Sequence, residues 1–510
     1  MRISSSMLFT GGSAQIDNLQ AQLVHQQQEI SSGTSILTPA DNPVNAAQAL
    51  VVTQSQNDNT QFGTNRQYAT NSLSQEETTL QGVTTLVQNV QSAIVDAGNA
   101  SYTTQQRQAI ATSLQQTYNQ LLALANSQDG NGNYLFSGYQ SGVQPFTAIN
   151  GGAQYNGSQG QTTVQVSVSS QMQIGDSGDT VFENNTTGNG TFVTAATAGN
   201  LGSGTISGGA VVNAAQLTGD SYSITFNGSQ TAAGAGNTGS GSISSATAAL
   251  GGVQPTGDLF TLNFTSPNTY DVVNNTTGAS VSTNNTFLAG QPITVGGSQF
   301  TIEGNPAVND TFTLQDNPTT YTVVDNTNPA SVTIPPPNQP YVSGQAIQFD
   351  GLSFNVTGNP AGGSGGASPG NGLAVVPADS FTINPSPRKS IFTTLTNLIN
   401  LLNQAPPGTG AGVAYETNLT NGLNTANNDL GNALNNVLTV RASIGARLNE
   451  LTALNTQGQG LGLEYSTTLS NLQDLDYAKA ISNFSQQQMT LNAAQQSFVK
   501  ISNLSLFNYL

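Results

Sequence analysis

Cysteine is absent from the chain, which excludes disulfides, thiolate metal sites and thiol nucleophiles together. Charge is nearly as scarce: Asp, Glu, Lys and Arg make up 7% of 510 residues, against roughly 25% in an ordinary soluble protein. It is also unevenly placed. All nine Lys and Arg fall within 2–107 or 388–500, whereas 108–387 holds thirteen Asp and Glu and no base. Such a region has nothing with which to displace counterions from nucleic-acid phosphates or to hold an anionic membrane surface. Histidine occurs once, as His25, leaving Ser/His/Asp triads and His-based metal centres almost without material. No apolar run reaches the length of a membrane-spanning helix, and the opening MRISSSMLFTGGSAQ lacks the apolar core of a secretory signal. The expectations are no nucleic acid, no membrane insertion and no cofactor. A middle region free of lysine and rich in Asn, Thr and Gly suggests a chain that works outside the cell, having left without a cleaved signal.

What the chain has instead is apolar periodicity at both ends. Tyr477, Phe484, Leu491 and Phe498 are seven apart, with Ala480, Ala494 and Ile501 in a second register that only Gln487 breaks. The apolar character continues through Leu504 and Phe507 to Leu510. Phe9, Ile16, Leu23 and Ile30 repeat the spacing, with Leu19 in the second register. Apolar residues at these positions supercoil helices around one another, and a lone helix with such a stripe needs a partner. The large apolar members of both seams, Leu504 and Phe507 included, form the candidate subunit interface. The two ends pack on each other or on copies of themselves.

Between the ends the texture changes twice. A first helix is predicted over 7–33, followed by a break at Pro39, which expels Thr38 from the helical region. Asn42 and Pro43 then supply an N-cap and Pro at N1. Helices are predicted over 43–98, with Leu73, Leu80, Val87 and Ile94 in sevens, and over 103–127. Others follow at 389–404 and, after Pro406-Pro407, at 413–457; Gly458, Gly460 and Gly462 mark a joint before the terminal helix. From 146 to 387, alternation such as Thr163-Val164-Gln165-Val166-Ser167-Val168 has the period of strands. Gly290–Ala307 matches Gly344–Ala361, Thr269–Val273 recurs as Thr320–Val324, and an Asp-x-Phe/Tyr motif begins at Asp220, Asp258, Asp310 and Asp379. The β unit is read as duplicated, about 257–308 and 309–361, with a glycine-rich insertion at 362–371. The fold class is α+β: an elongated coiled-coil rod of paired N- and C-terminal helices carrying a large, internally repeated β insertion. Its expected parts are inner-core helices at 1–42 and 458–510, rod segments at 43–145 and 388–457, and an exposed β domain at 146–387.

Candidate chemistry is thin. Asp129-Gly-Asn-Gly-Asn133 opens like a calcium loop, but Tyr134 and Gln140 stand where Gly and Glu belong, so a plain turn is the better reading. Gly362-Gly-Ser-Gly-Gly366 has no Lys after it and no helix behind it, which makes it a linker. His25 reads as a partly exposed interfacial residue. Asp474 and Asp476, two residues apart, lie on different helix faces. No catalytic residue and no metal ligand set is expected. A hydrolase on the β region finds no convergent carboxylates, whereas an adhesive or glycan-binding module is compatible with it.

Four stretches carry a resemblance: Met1-Arg-Ile-Ser-Ser-Ser-Met7, Ile36-Leu-Thr-Pro-Ala-Asp-Asn-Pro43, Tyr134-Leu-Phe-Ser-Gly138, and Ala478–Leu510 with its Ala493-Ala-Gln-Gln-Ser-Phe498. Together they are similar to the flagellin family over roughly 1–145 and 388–510. The ending Ser505-Leu-Phe-Asn-Tyr-Leu510 looks more like a junction subunit of that family than like the filament subunit. The resemblance implies a structural subunit of the bacterial flagellum, with terminal helices in an inner tube, 43–127 and 389–457 in an outer rod, and the β repeats at the surface. It implies a ring of copies between the first hook-associated protein and the flagellin filament. It also implies type III export and an export chaperone on the C-terminal helix. Flagellin itself, with a large β insertion, is the alternative within the family.

Overall fold

The computed structural model describes residues 5–249, 255–328, 337–362, 378–405 and 412–503. Pro406, Pro407 and all of the glycine-rich insertion beyond Gly362 lie outside them. The α-helices are α1 (Ser5–Ser32), α2 (Pro43–Ala97), α3 (Thr104–Ala125), α4 (Ile391–Asn403), α5 (Gly412–Gln473) and α6 (Tyr477–Asn503). Short antiparallel strands fill the span between α3 and α4, giving an α+β chain. The chain divides into two compact units. One comprises Met1–Ser72, Thr163–Ile174 and Ala446–Leu510, the other Leu73–Thr162 and Gly175–Gly445.

Helix starts follow local chemistry. Asn42 Oδ1 accepts from the Asn45 amide at 3.1 Å with Pro43 in the first turn. Thr103 and Gln106 close a capping box on α3, and Ser390 caps α4. The expected joint at Gly458–Gly462 is corrected, because α5 continues to Gln473. Gly458 is there for clearance: a Cβ on it would collide with the Arg66 guanidinium. A few interior glycines, at about 1 kcal/mol each, do not break a helix of this length. The joint lies at Asp474–Asp476 instead, where Asp476 caps α6 by accepting from the Lys479 amide at 3.1 Å.

In the second unit Leu73, Leu80, Val83, Val87 and Val90 of α2, Leu114 and Leu121 of α3, and Leu430, Val437 and Ile444 of α5 are buried. Arg107 grips Glu416 through both terminal guanidinium nitrogens at 2.9 and 2.8 Å, and Arg441 pairs with Glu77 at 2.6 Å. The boundary expected at 146 also moves. Phe146 and Phe182 stack against Phe392 of α4 at 5.2 and 6.0 Å, and Tyr118 of α3 donates to the Gly152 carbonyl at 2.6 Å. Residues 146–162 and 175–190 therefore complete the helical core. Their strands are too short to bury their aromatics among themselves.

A separate hairpin, Thr163–Gln165 with Gln171–Gln173, belongs to the first unit, and two β modules of the same design follow in the second. In one, strands Gln230–Ala233, Thr311–Gln315, Leu259–Ser266, Thr269–Asn274 and Ala279–Thr286 form a sheet in that spatial order. In the other, Phe192–Ala196, Ser380–Pro385, Tyr222–Asn227, Thr320–Asp325 and Gln339–Pro340 repeat the order strand for strand. Each sheet shares an apolar core with a second, smaller sheet, one around Leu262, Ile302 and Phe312, the other around Ile224, Val356 and Phe381. A buried carboxylate at the equivalent place clamps the loops of each core. Asp310 accepts from the amides of Thr238, Gly239 and Ala307, and Asp379 from those of Leu201, Gly202 and Ala361.

The duplication is therefore nested rather than tandem, and the boundaries 257–308 and 309–361 are corrected. The whole 229–316 module is inserted in one hairpin of the other, between Asn227 and Thr320, which are themselves paired. In the inserted module the equivalent hairpin turns within Pro267 and Asn268. Similarity between strands gives the same matches for either arrangement, so the sequence alone reads as a tandem repeat. Deleting 229–318 leaves Gly228-Thr319 as a two-residue loop with glycine first, the form a tight hairpin favours. The shortened chain is expected to keep its other module folded, with its thermal midpoint within about 5 °C, a shift that corresponds to roughly 1–2 kcal/mol. Calorimetry checks this, and loss of the remaining β transition counts against the nesting.

Candidate subunit interface at the terminal helices

α1 and α6 lie against each other in the first unit. The turn after α1 ties them together: Ser35 donates to the Gln473 carbonyl at 2.7 Å, and Leu475 donates to that of Gly33 at 3.0 Å. A Cβ on Gly33, whose φ is +76°, would crowd the Tyr477 hydroxyl. At the other end the Phe9 and Phe498 rings are 5.0 Å apart, and a Cβ on Gly12 would stand 2.8 Å from the Phe498 ring. Contacts Gly33–Tyr477 and Gly12–Phe498 make the pair antiparallel. The seams read from the two termini thus meet each other.

One partner helix does not cover them. Ile16, Leu19, Leu23, Ile30, Phe484, Leu491 and Phe498 are only half-buried, Phe9 and Tyr477 are exposed, and among the described side chains of α6 Ala480 alone is buried. Met7, Val24, Ile481, Met489 and Val499 are more than half exposed on the remaining faces. Leu504 and Phe507 lie outside the described residues; Ile501 belongs to α6, with its side chain outside them.

Two features of the interface were not foreseen. Gln26 occupies the seam of α1 between Leu23 and Ile30, as Gln487 does in α6, and the Oε1 of each is buried without a hydrogen-bond partner. The spacing of three and four residues from its neighbours would have found Gln26. The second is an apolar stripe on the same unit: Val44, Leu50 and Val51 of α2 and Leu463 of α5 are 64–73% exposed. Between those helices Ala47, Val51, Val52 and Leu472 line a groove of about 410 Å³.

The polar candidates stay structural. His25 is flanked by Glu29 at 3.3 Å and Asp41 at 3.0 Å, and Asp41 in turn holds the amides of Leu37 and Thr38, ordering the turn before α2. Asp129 is occupied by its own loop, accepting from the Asn131 and Asn133 amides and the Asn133 side chain. Burial pushes its carboxyl up, but those bonds outweigh it and hold the group below the usual carboxylate value. Among the described residues no group of three His, Cys, Asp or Glu is placed to hold a metal ion. No described helix is long and apolar enough to cross a membrane.

The family described as the bacterial flagellin N-terminal helical region matches residues 3–141. Flagellar hook-associated protein 3 of Salmonella typhimurium is 40% identical over 182 residues, covering 36% of this chain and 57% of the relative. Its Escherichia coli namesake is 38% identical over 183 residues with the same coverage, so the match spans little more than half of either relative. Among solved structures, flagellar hook associated protein-3 of Legionella pneumophila superposes with a TM-score of 0.58 at 24% identity, covering 83% of this chain and 98% of that one. The flagellar junction protein FlgL of the same organism gives 0.56 at 23%, covering 84% and 100%; at such identities the likeness speaks for the fold. Residues 3–141 are thus similar to the flagellin N-terminal helical region, and 36% of the chain is similar to flagellar hook-associated protein 3.

Proposed function

We propose that the chain is a structural subunit of the bacterial flagellum, placed where the hook-associated proteins meet the flagellin filament. The observation that carries this reading is the incompletely covered α1–α6 pair. Phe9, Tyr477, Ile481 and Met489 are at least half exposed, and seam residues such as Leu23 and Leu491 are only partly buried. A contiguous apolar face of this kind is the mark of an assembly surface. Copies of the chain would bury it in a ring through the seam residues Phe9, Ile16, Leu19, Leu23, Ile30, Tyr477, Phe484, Leu491 and Phe498. The first hook-associated protein and flagellin would lie on either side. Before assembly the same face of α6 would need cover, the task of an export chaperone during passage to the cell exterior.

Imaging a strain that lacks the chain tests the role. The expected outcome is hooks without filaments and flagellin shed into the medium. Normal filaments on those hooks would overturn the reading. Long filaments grown from the purified chain alone would assign it to the filament instead.

A further inference from the structure

Arg66, on α2, is 5% exposed. Nη1 donates to the Val166 carbonyl at 3.0 Å, and Nε is enclosed without a partner. No carboxylate among the described residues lies within ion-pair distance of it, whereas Arg107, Lys389 and Arg441 each have one. Burial also draws its pKa below the usual guanidinium value. A buried charge without a counter-charge is destabilising, so a cation left in this state needs a partner from elsewhere.

The surroundings are shaped for one. A groove of about 680 Å³ opens beside the guanidinium, lined by Asn59, Gly63, Gln67, Asn71, Asn455 and Gly458. The Nη2 atom passes Gly63 and Gly458, where a side chain on the latter would collide with it. Asn71 and Asn455 bring amide N–H donors to the rim, Asn59 and Gln67 already donating to the Gly458 carbonyl and to Asn71 Oδ1, and no acidic residue lines the groove. A guanidinium presents a planar fork that matches a carboxylate in two parallel hydrogen bonds. Each copy of the chain carries 26 Asp and Glu against nine Lys and Arg, so every neighbour brings a surplus of carboxylates.

We propose that Arg66 and the amides around it form a carboxylate-binding site, filled by an Asp or Glu side chain of an adjoining copy of this chain. The occupant rests on the subunit reading above; the site itself does not.

Two arms test it. In the first, full-length chain labelled with ¹⁵N-arginine is titrated with sodium acetate and, at matched ionic strength, with sodium chloride, the Arg66 signal being identified by its loss in Arg66→Lys. A saturable shift of the Nε–H resonance in acetate alone is expected. No shift, or the same shift in both salts, overturns the site. In the second, Arg66→Gln and Arg66→Lys replace the chain in a strain that lacks it. Arg66→Gln removes an unpaired buried charge, so the monomer is expected to melt no lower than the unaltered chain and to be secreted equally. Its incorporation should fall by about thirtyfold or more, the loss typical of one partner of a buried charged pair, with Arg66→Lys partly restoring it. A lower melting temperature with proportionate loss of incorporation would mean a packing role and overturn the proposal. Wild-type incorporation of Arg66→Gln with the acetate shift intact would overturn the neighbouring copy as occupant and leave a site for a free anion. Failure of the unaltered chain to enter flagella strikes the subunit reading and leaves the acetate arm standing.

Discussion

Phe484→Asp combined with Leu491→Asp will abolish incorporation into the flagellum while leaving the Leu73–Thr162 and Gly175–Gly445 unit folded. Both side chains sit half-buried in the α1–α6 seam, one heptad apart. Complete burial of an apolar side chain of this size contributes about 1.5–3 kcal/mol, and a repeated interface multiplies the term by the number of copies. A carboxylate in the same place has no free base to meet among the described residues: α6 holds only Lys479 and Lys500, both exposed, and α1 only His25, already flanked by Glu29 and Asp41. The monomer has little to lose, because the seam is covered by a single helix and already contains two glutamine carbonyls without partners. Motility in soft agar and immunolabelling of hook tips measure the outcome. Calorimetry of the secreted protein shows whether the second unit is intact. Normal motility of the double variant would sink the interface.

The second large effect concerns the β modules. Asp379→Ala will unfold the module made of 192–227 and 319–385, and Asp310→Ala the inserted 229–316 module alone. Each substitution strands three backbone N–H groups, partly buried around Asp310 and mostly buried around Asp379; at the low end of about 1–3 kcal/mol per group a loss of roughly 3 kcal/mol or more is expected, where most surface changes lie within about 0.5 kcal/mol. Hydrogen exchange on peptides of the two modules distinguishes the outcomes. Equal loss of protection in both after Asp310→Ala would show that they fold as one.

Acid should also separate them. Burial pushes Asp310 up, yet its three amide donors outweigh that and hold the carboxyl below the usual range. Its contribution is therefore present at neutral pH and is lost as the pH falls through that lowered value. For Asp379 burial prevails over the same kind of bonds and the carboxyl is raised. Protonation then begins at higher pH and favours the folded form. Below about pH 4, the ordinary range for Asp, the inserted module is expected to lose protection first. The reverse order would show that the two carboxylates do not govern acid stability.

Much of this was legible from side-chain spacing. The seams at Phe9–Ile30 and Tyr477–Phe498 are fixed by one helix each, so a period of seven finds them without knowledge of their neighbours. Asn42-Pro43 announces a helix start for the same local reason. What failed depends on distant segments. Gly458 looks like a break until Arg66, some 390 residues earlier, is seen to need the space. Asp310 and Asp379 were found as repeat markers, but their role as clamps appears only when the Thr238-Gly239 and Leu201-Gly202 turns fold onto them. Arg66 gave no signal, since its character comes from Val166 and from the lack of a carboxylate beside it among the described residues. Nor does sequence similarity record which copy of a duplicated unit lies inside the other.

That nesting has a consequence for how such a protein can change. Because the 229–316 cassette enters and leaves through one stem, where Asn227 faces Thr320, its ends are held side by side like those of a plug in a socket. Any foreign domain whose own termini lie close together can be grafted at the same place, and the host strands need not shift register to receive it.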